Sequence, residues 1–130
     1  MNAPNSREFA CAVAGILDNR LAKDIDILNI SNISVIADYF VICSATSSTH
    51  VRTLAGHVRE TIKKLYEILP QKEEADSKNR WYLLDYGDVV VHIMHHEERS
   101  YYAIEKFWSH ACRIDQKEWQ EKVKELNIPL

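Results

Sequence analysis

Three groups of residues in this chain have types and spacing that could do chemistry. His92, His95 and His96 lie close together, with Glu97, Glu98 and His110 nearby. Imidazoles and carboxylates are the ligands that transition metals take, but a site needs three or four of them converging, oriented by hydrogen-bonded neighbours. Neither His-Glu-x-x-His nor Cys-x-x-Cys occurs, and His96 shares a face with His92 only if a strand runs that far. Ordinary surface or interface histidines are expected, with no metal and no cofactor. Ser44-Ala-Thr-Ser-Ser-Thr49 joins an apolar run to an amphipathic one, a place where a helix N-terminus can hold a phosphate. It lacks glycine, and no aspartate pair follows on the next strand to hold magnesium, so a polar loop with a helix cap is the plainer reading. A Gly-x-Ser-x-Gly elbow is absent, and the cysteines show no electropositive setting that would activate a thiol. Catalysis is not expected.

The third group is Trp81, Tyr82, Asp85, Tyr86, Asp88, His92, Arg99, Tyr101, Tyr102 and Trp108. Tryptophan, tyrosine and arginine are the residues that protein interfaces concentrate, because large rigid side chains with a polar tip bind at low entropic cost. The candidate partner-binding residues are Trp81, Asp85, Tyr86, Asp88, His92 and Arg99. Many aromatics in strands simply pack a core. Trp108, on an apolar helix face, is expected there; Asp85, Tyr86 and Asp88, at a turn, are expected to be exposed. Strand alternation sets Trp81, Leu83 and Asp85 on one face, and Asp88, Val90 and His92 together on another.

These side chains need elements to position them. Trp81–Leu84 and Val89–Met94 are rich in aromatic and β-branched residues, and Asp85-Tyr-Gly-Asp88 between them supplies a glycine for the left-handed position of a tight hairpin. Ahead of them, Ser6 caps a helix whose Phe9, Val13, Ile16, Leu17 and Leu21 recur at three- and four-residue spacing. Asp24–Leu28 alternates as a half-exposed strand, and Ala37–Ala45 reads as a more buried one. Ser48–Leu69 predicts the longest helix, ended by Pro70, with Arg52, Arg59, Lys63 and Lys64 on its solvated face. A short edge strand is expected near Lys72–Ala75. Tyr102, Ile104, Phe107, Trp108 and Ala111 predict a further helix, and Gln116–Leu126 a last amphipathic one. The order implies an α/β fold, a small mixed β-sheet flanked by helices. Residues 1–113 form one domain in this reading, and 114–130 a C-terminal helical extension.

Bulk properties narrow the function. With 130 residues, 46% hydrophobic, the chain can bury a core of its own. A net charge of -3 with 27% charged residues disfavours binding driven by phosphate neutralisation and fits a basic protein partner. Three widely spaced cysteines, Cys11, Cys43 and Cys112, read as reduced thiols. The N-terminal residues carry no secretory pattern, and no stretch approaches a membrane span, so a cytoplasmic protein is expected.

Trp81–Trp108, reading WYLLDYGDVVVHIMHHEERSYYAIEKFW, closely resembles the signature of the ribosomal silencing factor family, also called RsfS or Iojap. Asp38–Ala45 is similar to the family's second strand, and the likeness extends over roughly Phe9–Arg113. Where members often carry Glu-Gly before the tryptophan, Glu73-Glu-Ala75-Asp76 stands here. The resemblance implies a nucleotidyltransferase-like scaffold lacking catalytic residues. It also implies a translational repressor that binds large-subunit ribosomal protein fourteen and blocks subunit joining when nutrients are scarce. A homodimer in the free state, and a minor contact with ribosomal RNA, are further partners this reading allows. The alternatives are a nucleotide-binding enzyme using the Ser44–Thr49 loop and a simple dimerisation module.

Overall fold

The computed structural model describes residues 4–130; the first three, included in the reading of the N-terminus and in the 1–113 domain, lie outside the described residues. Four α-helices and six strands follow in the order α1 (Ser6–Asn19), β1 (Lys23–Asn29), β2 (Tyr39–Ala45), α2 (Ser48–Tyr66), β3 (Lys72–Ala75), β4 (Trp81–Asp85), β5 (Val89–His95), α3 (His96–Tyr102), β6 (Cys112–Ile114) and α4 (Gln116–Leu126). A 3₁₀ turn, Ile104–Trp108, bridges α3 to β6. The sheet order is β3-β4-β5-β2-β1-β6. β2 and β5 run parallel at its centre, and every other pair is antiparallel. This is the mixed α/β fold expected.

Except along the edge strand β3, helices cover one face of the sheet. α1 lies against it with every residue from Phe9 to Leu17 buried. A helix buried on all sides needs small residues where its neighbours approach, and the run Ala10, Cys11, Ala12, Ala14, Gly15 supplies them. A Cβ on Gly15 would meet the methyls of Val123, on α4, at 2.5 and 2.9 Å. α2 adds Val51, Leu54, Ala55, Val58 and Ile62, and α4 adds the buried Trp119. The segment 114–130 thus shares this core: Ile114 pairs with Ile27 in the sheet, and Trp119 is only 3% exposed.

The opposite face is closed over only part of its width. Leu28, Ile30, Ala37, Phe40, Ile42, Val90 and Met94 form a second cluster, with Ile104, Trp108 and Ala111 packed against it. Trp108 meets Phe40 edge to face at 5.5 Å, so it joins this smaller core, half-buried.

Local chemistry moves several boundaries. Asn5, not Ser6, caps α1: its side chain accepts from the Glu8 amide at 2.8 Å. α2 ends at Tyr66 because Glu67 adopts the left-handed conformation at φ +58°, which leaves Leu69 beyond the helix and exposed. The helix expected across Tyr102–Ala111 is broken in the same way by Ala103, at φ +45°, into α3 and the 3₁₀ turn. β6 follows where no strand is foreseen; three residues are too few for a periodic pattern, and pairing with β1 holds them.

Candidate partner-binding face

The register of the hairpin decides which side chains share a surface. Trp81 pairs with Met94, Leu83 with His92 and Asp85 with Val90. Directly paired residues in an antiparallel ladder point the same way. Trp81, Leu83, Asp85, Val90 and His92 therefore occupy one face, not the two that strand alternation within each arm implies. The other side of the hairpin, with Tyr82, Leu84, Val91 and Ile93, packs toward α1 and α2.

The turn is held from within. Asp85 Oδ1 accepts from the Gly87 amide at 2.8 Å, and Gly87 sits at φ +89°, where a Cβ would be strained and crowd Gln71. The Asp88 carbonyl accepts from the amides of Asp38 and Tyr39, at 2.8 and 3.0 Å, which docks the turn on the start of β2. Asp88 itself is exposed, as expected, while Asp85 is half-buried. Tyr86 corrects the expectation of exposure. Its ring turns to the covered face and meets Phe9 edge to face at 4.8 Å, its hydroxyl buried without a partner. Burial raises its pKa well above the usual tyrosine value. Packing against Phe9 of α1 holds this side chain inward.

His92 and Arg99 are also inside. His92 is 6% exposed; its Nδ1 accepts from the Trp81 indole at 3.2 Å, and Phe40 packs at 4.8 Å between ring centroids. Burial pushes its pKa down to about 4, so the ring is neutral and serves to aim Trp81. Arg99 reaches back from α3 to the sheet, donating to Asp26 at 2.7 Å, to Ser44 Oγ at 3.1 Å and to the Asp24 carbonyl, with Glu105 at 3.6 Å. Its guanidinium clamps α3 to β1 and β2.

What remains partly exposed is Trp81, Leu83 and Asp85 on β4, all half-buried, with the exposed Glu74 on β3; Trp81 and Leu83 rest on the second cluster. Trp81, Leu83, Glu74, Ala75 and Asp76 line a shallow depression of about 340 Å³. Tyr102 stands against Trp81 at 5.0 Å between centroids and Tyr101 against Tyr102 at 5.0 Å, which extends the aromatic surface onto α3. Arg80 braces the rim, bound to Glu98 at 2.7 Å and Glu97 at 2.9 Å. Leu83 and Glu74 were not among the candidate residues. The alternation through Trp81 and Asp85 contained Leu83; that α3 stops short of it was not legible.

The other constellations are spent on structure. His95 Nδ1 caps the Glu97 amide at 3.2 Å, and among the described residues no three His, Cys, Asp or Glu side chains converge as metal ligands. In the Ser44–Thr49 loop, Ser47 Oγ accepts from the His50 amide, and the Thr46 amide donates to His50 Nδ1. On α2, Arg59 is taken by Glu73 and Tyr82, at 2.6 and 3.0 Å. Cys11 and Cys43 are buried, with thiols pushed up to about 11 and about 12. No helix of the described residues is long and apolar enough to cross a membrane.

The family model "Ribosomal silencing factor during starvation" matches residues 3–128. The chain belongs to the ribosomal silencing factor family. The match runs through α4, in keeping with the burial of Trp119. A ribosomal silencing factor of Bacillus subtilis is 38% identical over 111 residues, covering 85% of this chain and 93% of that one. A more distant mouse relative, 29% identical over 80% of this chain and 46% of its own, is named for mitochondrial assembly of the large ribosomal subunit. A crystal structure of a Chromobacterium violaceum protein superposes with a TM-score of 0.77 at 28% identity, covering 82% of this chain and 88% of the other. The family's description is regulatory, a silencing of ribosomes.

Proposed function

We propose that this protein is a translational repressor acting in the cytoplasm, which binds large-subunit ribosomal protein fourteen and sterically blocks joining of the two ribosomal subunits, above all under nutrient limitation. One observation carries the reading: helices close one face of the sheet, whereas the other stays open over β3 and β4. A half-open sheet face with tryptophan, leucine and tyrosine at its centre and carboxylates at its rim is the composition of a docking site. Glu74, Asp76 and Asp85 suit a basic surface, and such complementarity speeds association and sets orientation. The apolar centre, with Trp81 pre-oriented by His92, sets the dissociation rate. Family membership supplies the ribosome as the target, and the mouse relative's name points to the large subunit.

Within this proposal Trp81 and Asp85 touch the partner and Asp88 lies at the edge of the contact. Tyr86, His92 and Arg99 act from behind it, by holding the hairpin and α3 in place. The mechanism is exclusion and needs no bond chemistry. A second copy could cover the same face in the free state, and a dimer would then dissociate on the ribosome.

Co-sedimentation with purified large subunits, followed by light scattering of subunit joining, tests the proposal. The expected result is stoichiometric binding and a proportionate loss of joined ribosomes. Absence of binding, or binding with joining unchanged, rejects it.

A further inference from the structure

β3 is the outer strand of the sheet, and all four of its residues are exposed. Its pairing with β4 is regular, without a bulge, from Lys72 opposite Asp85 to Ala75 opposite Tyr82. The Asp76 amide, one step further, donates to the Trp81 carbonyl. In an antiparallel ladder hydrogen-bonded and non-hydrogen-bonded residues alternate. Lys72, Glu74 and Asp76 thus spend their backbone groups on β4, and the N–H and C=O of Glu73 and Ala75 point outward along the free edge.

Native sheets guard such edges with short strands, charged side chains, prolines or bulges. β3 is short and charged, which guards it in part, but it has neither a bulge nor a proline within it. Pro70 lies before the strand, and the ammonium of Lys72 is neutralised by Glu74 at 2.7 Å. Glu73, although partly exposed, is held by Arg59 and Tyr82 and shapes the strand from its other face. The edge is also continuous with the open face, since Glu74 and Ala75 line the same depression as Trp81 and Leu83.

We infer that β3 is a strand-addition site, at which an extended basic segment of the partner pairs with the outward groups of Glu73 and Ala75 while its side chains run over the depression. The inference rests on the docking reading above and deepens it. Charge selects the occupant. Glu73 pairs with Arg59 and Glu74 with Lys72, so Asp76 and the adjacent Asp85 give this edge its net negative charge. That favours a lysine- or arginine-bearing strand, whereas a second copy would bring two net-acidic edges together, and like charges across a strand pair destabilise it. Main-chain bonds supply affinity in this mode, and alternate side chains supply specificity.

Amide hydrogen exchange in the full chain, free and bound to isolated ribosomal protein fourteen, is the direct test. Glu73 and Ala75 amides exchange quickly in the free protein and become protected in the complex, and Glu74, already paired, changes little. Ala75→Pro removes one outward donor at an edge position where proline is tolerated, and weakens binding about fivefold, the worth of one hydrogen bond. Glu74→Lys weakens it further at low salt. Trp81→Ala serves as the face control. If Trp81→Ala abolishes binding while Glu73 and Ala75 stay unprotected and Ala75→Pro binds normally, the docking face stands and strand addition is overturned. If neither variant changes binding and no amide of β3 or β4 is protected, both readings fall. Should Ala75→Pro fail to fold, the exchange data on the native chain still decide.

Discussion

At the scale of single residues, burial assigns His92 and Tyr86 their work. His92 is neutral in the fold, with a value near 4 against an ordinary 6.5. The unfolded chain therefore binds the extra proton between those limits. Stability contributed by neutral His92 is complete above pH 6.5 and is lost as pH falls toward 4, by about 3 kcal/mol in all. Urea unfolding at pH 7 and pH 4.5 measures it, and H92F should show a smaller drop than the native chain. Tyr86 packs on Phe9 with an orphaned hydroxyl, so Tyr86→Phe should be neutral or mildly stabilising. Tyr86→Ala should cost about 2–4 kcal/mol by leaving a cavity, read as a lowered melting temperature. Equal melting temperatures for the alanine and phenylalanine variants would place the ring outside the core. Residue types in Asp85–Asp88 pointed to a turn, correctly, but which way the tyrosine leaves that turn depends on α1, far away in sequence.

At the scale of elements, α3 and α4 are held by particular contacts rather than by periodicity. Arg99 carries α3; removing it as Arg99→Met leaves Asp26 with only the exposed Arg113 and should cost about 3 kcal/mol by chemical denaturation. Its loss should also loosen Tyr101 and Tyr102 beside Trp81. α4 seats on α1 through Gly15 and Val123, so Gly15→Ala should destabilise by about 1–3 kcal/mol. Adding Val123→Ala should return part of that loss, and strict additivity in the double-mutant cycle would show that the two do not touch. The long helices α1, α2 and α4 were readable from their apolar spacing, though α2 was expected to run on to Leu69, and the short edge strand Lys72–Ala75 was also expected. The break at Ala103 was not, because left-handed backbone at alanine has no signature in residue type and is imposed by packing. β6 was hidden because three residues are too few to show a period and its pairing with β1 makes it a strand.

At the scale of the molecule, the fold is asymmetric: three helices on one face, one short helix and a 3₁₀ turn on part of the other. The candidate face was half legible. Trp81 and Asp85 stood out by type, and they lie where the sheet is open; Arg99 and His92 stood out equally and lie beneath it, since an interface arginine and a buried clamp look alike in sequence. Leu83, unremarkable by type, is central by position. In the proposed function the open face over β4, and not merely the fold, silences the ribosome. That role is tested most directly by a subunit-joining assay comparing the native chain with Leu83→Arg, which places charge on the face from a side chain that is only partly buried. The variant should keep its melting temperature within a few degrees yet no longer sediment with large subunits or inhibit joining. A folded Leu83→Arg variant that inhibits joining as well as the native chain would contradict the proposal.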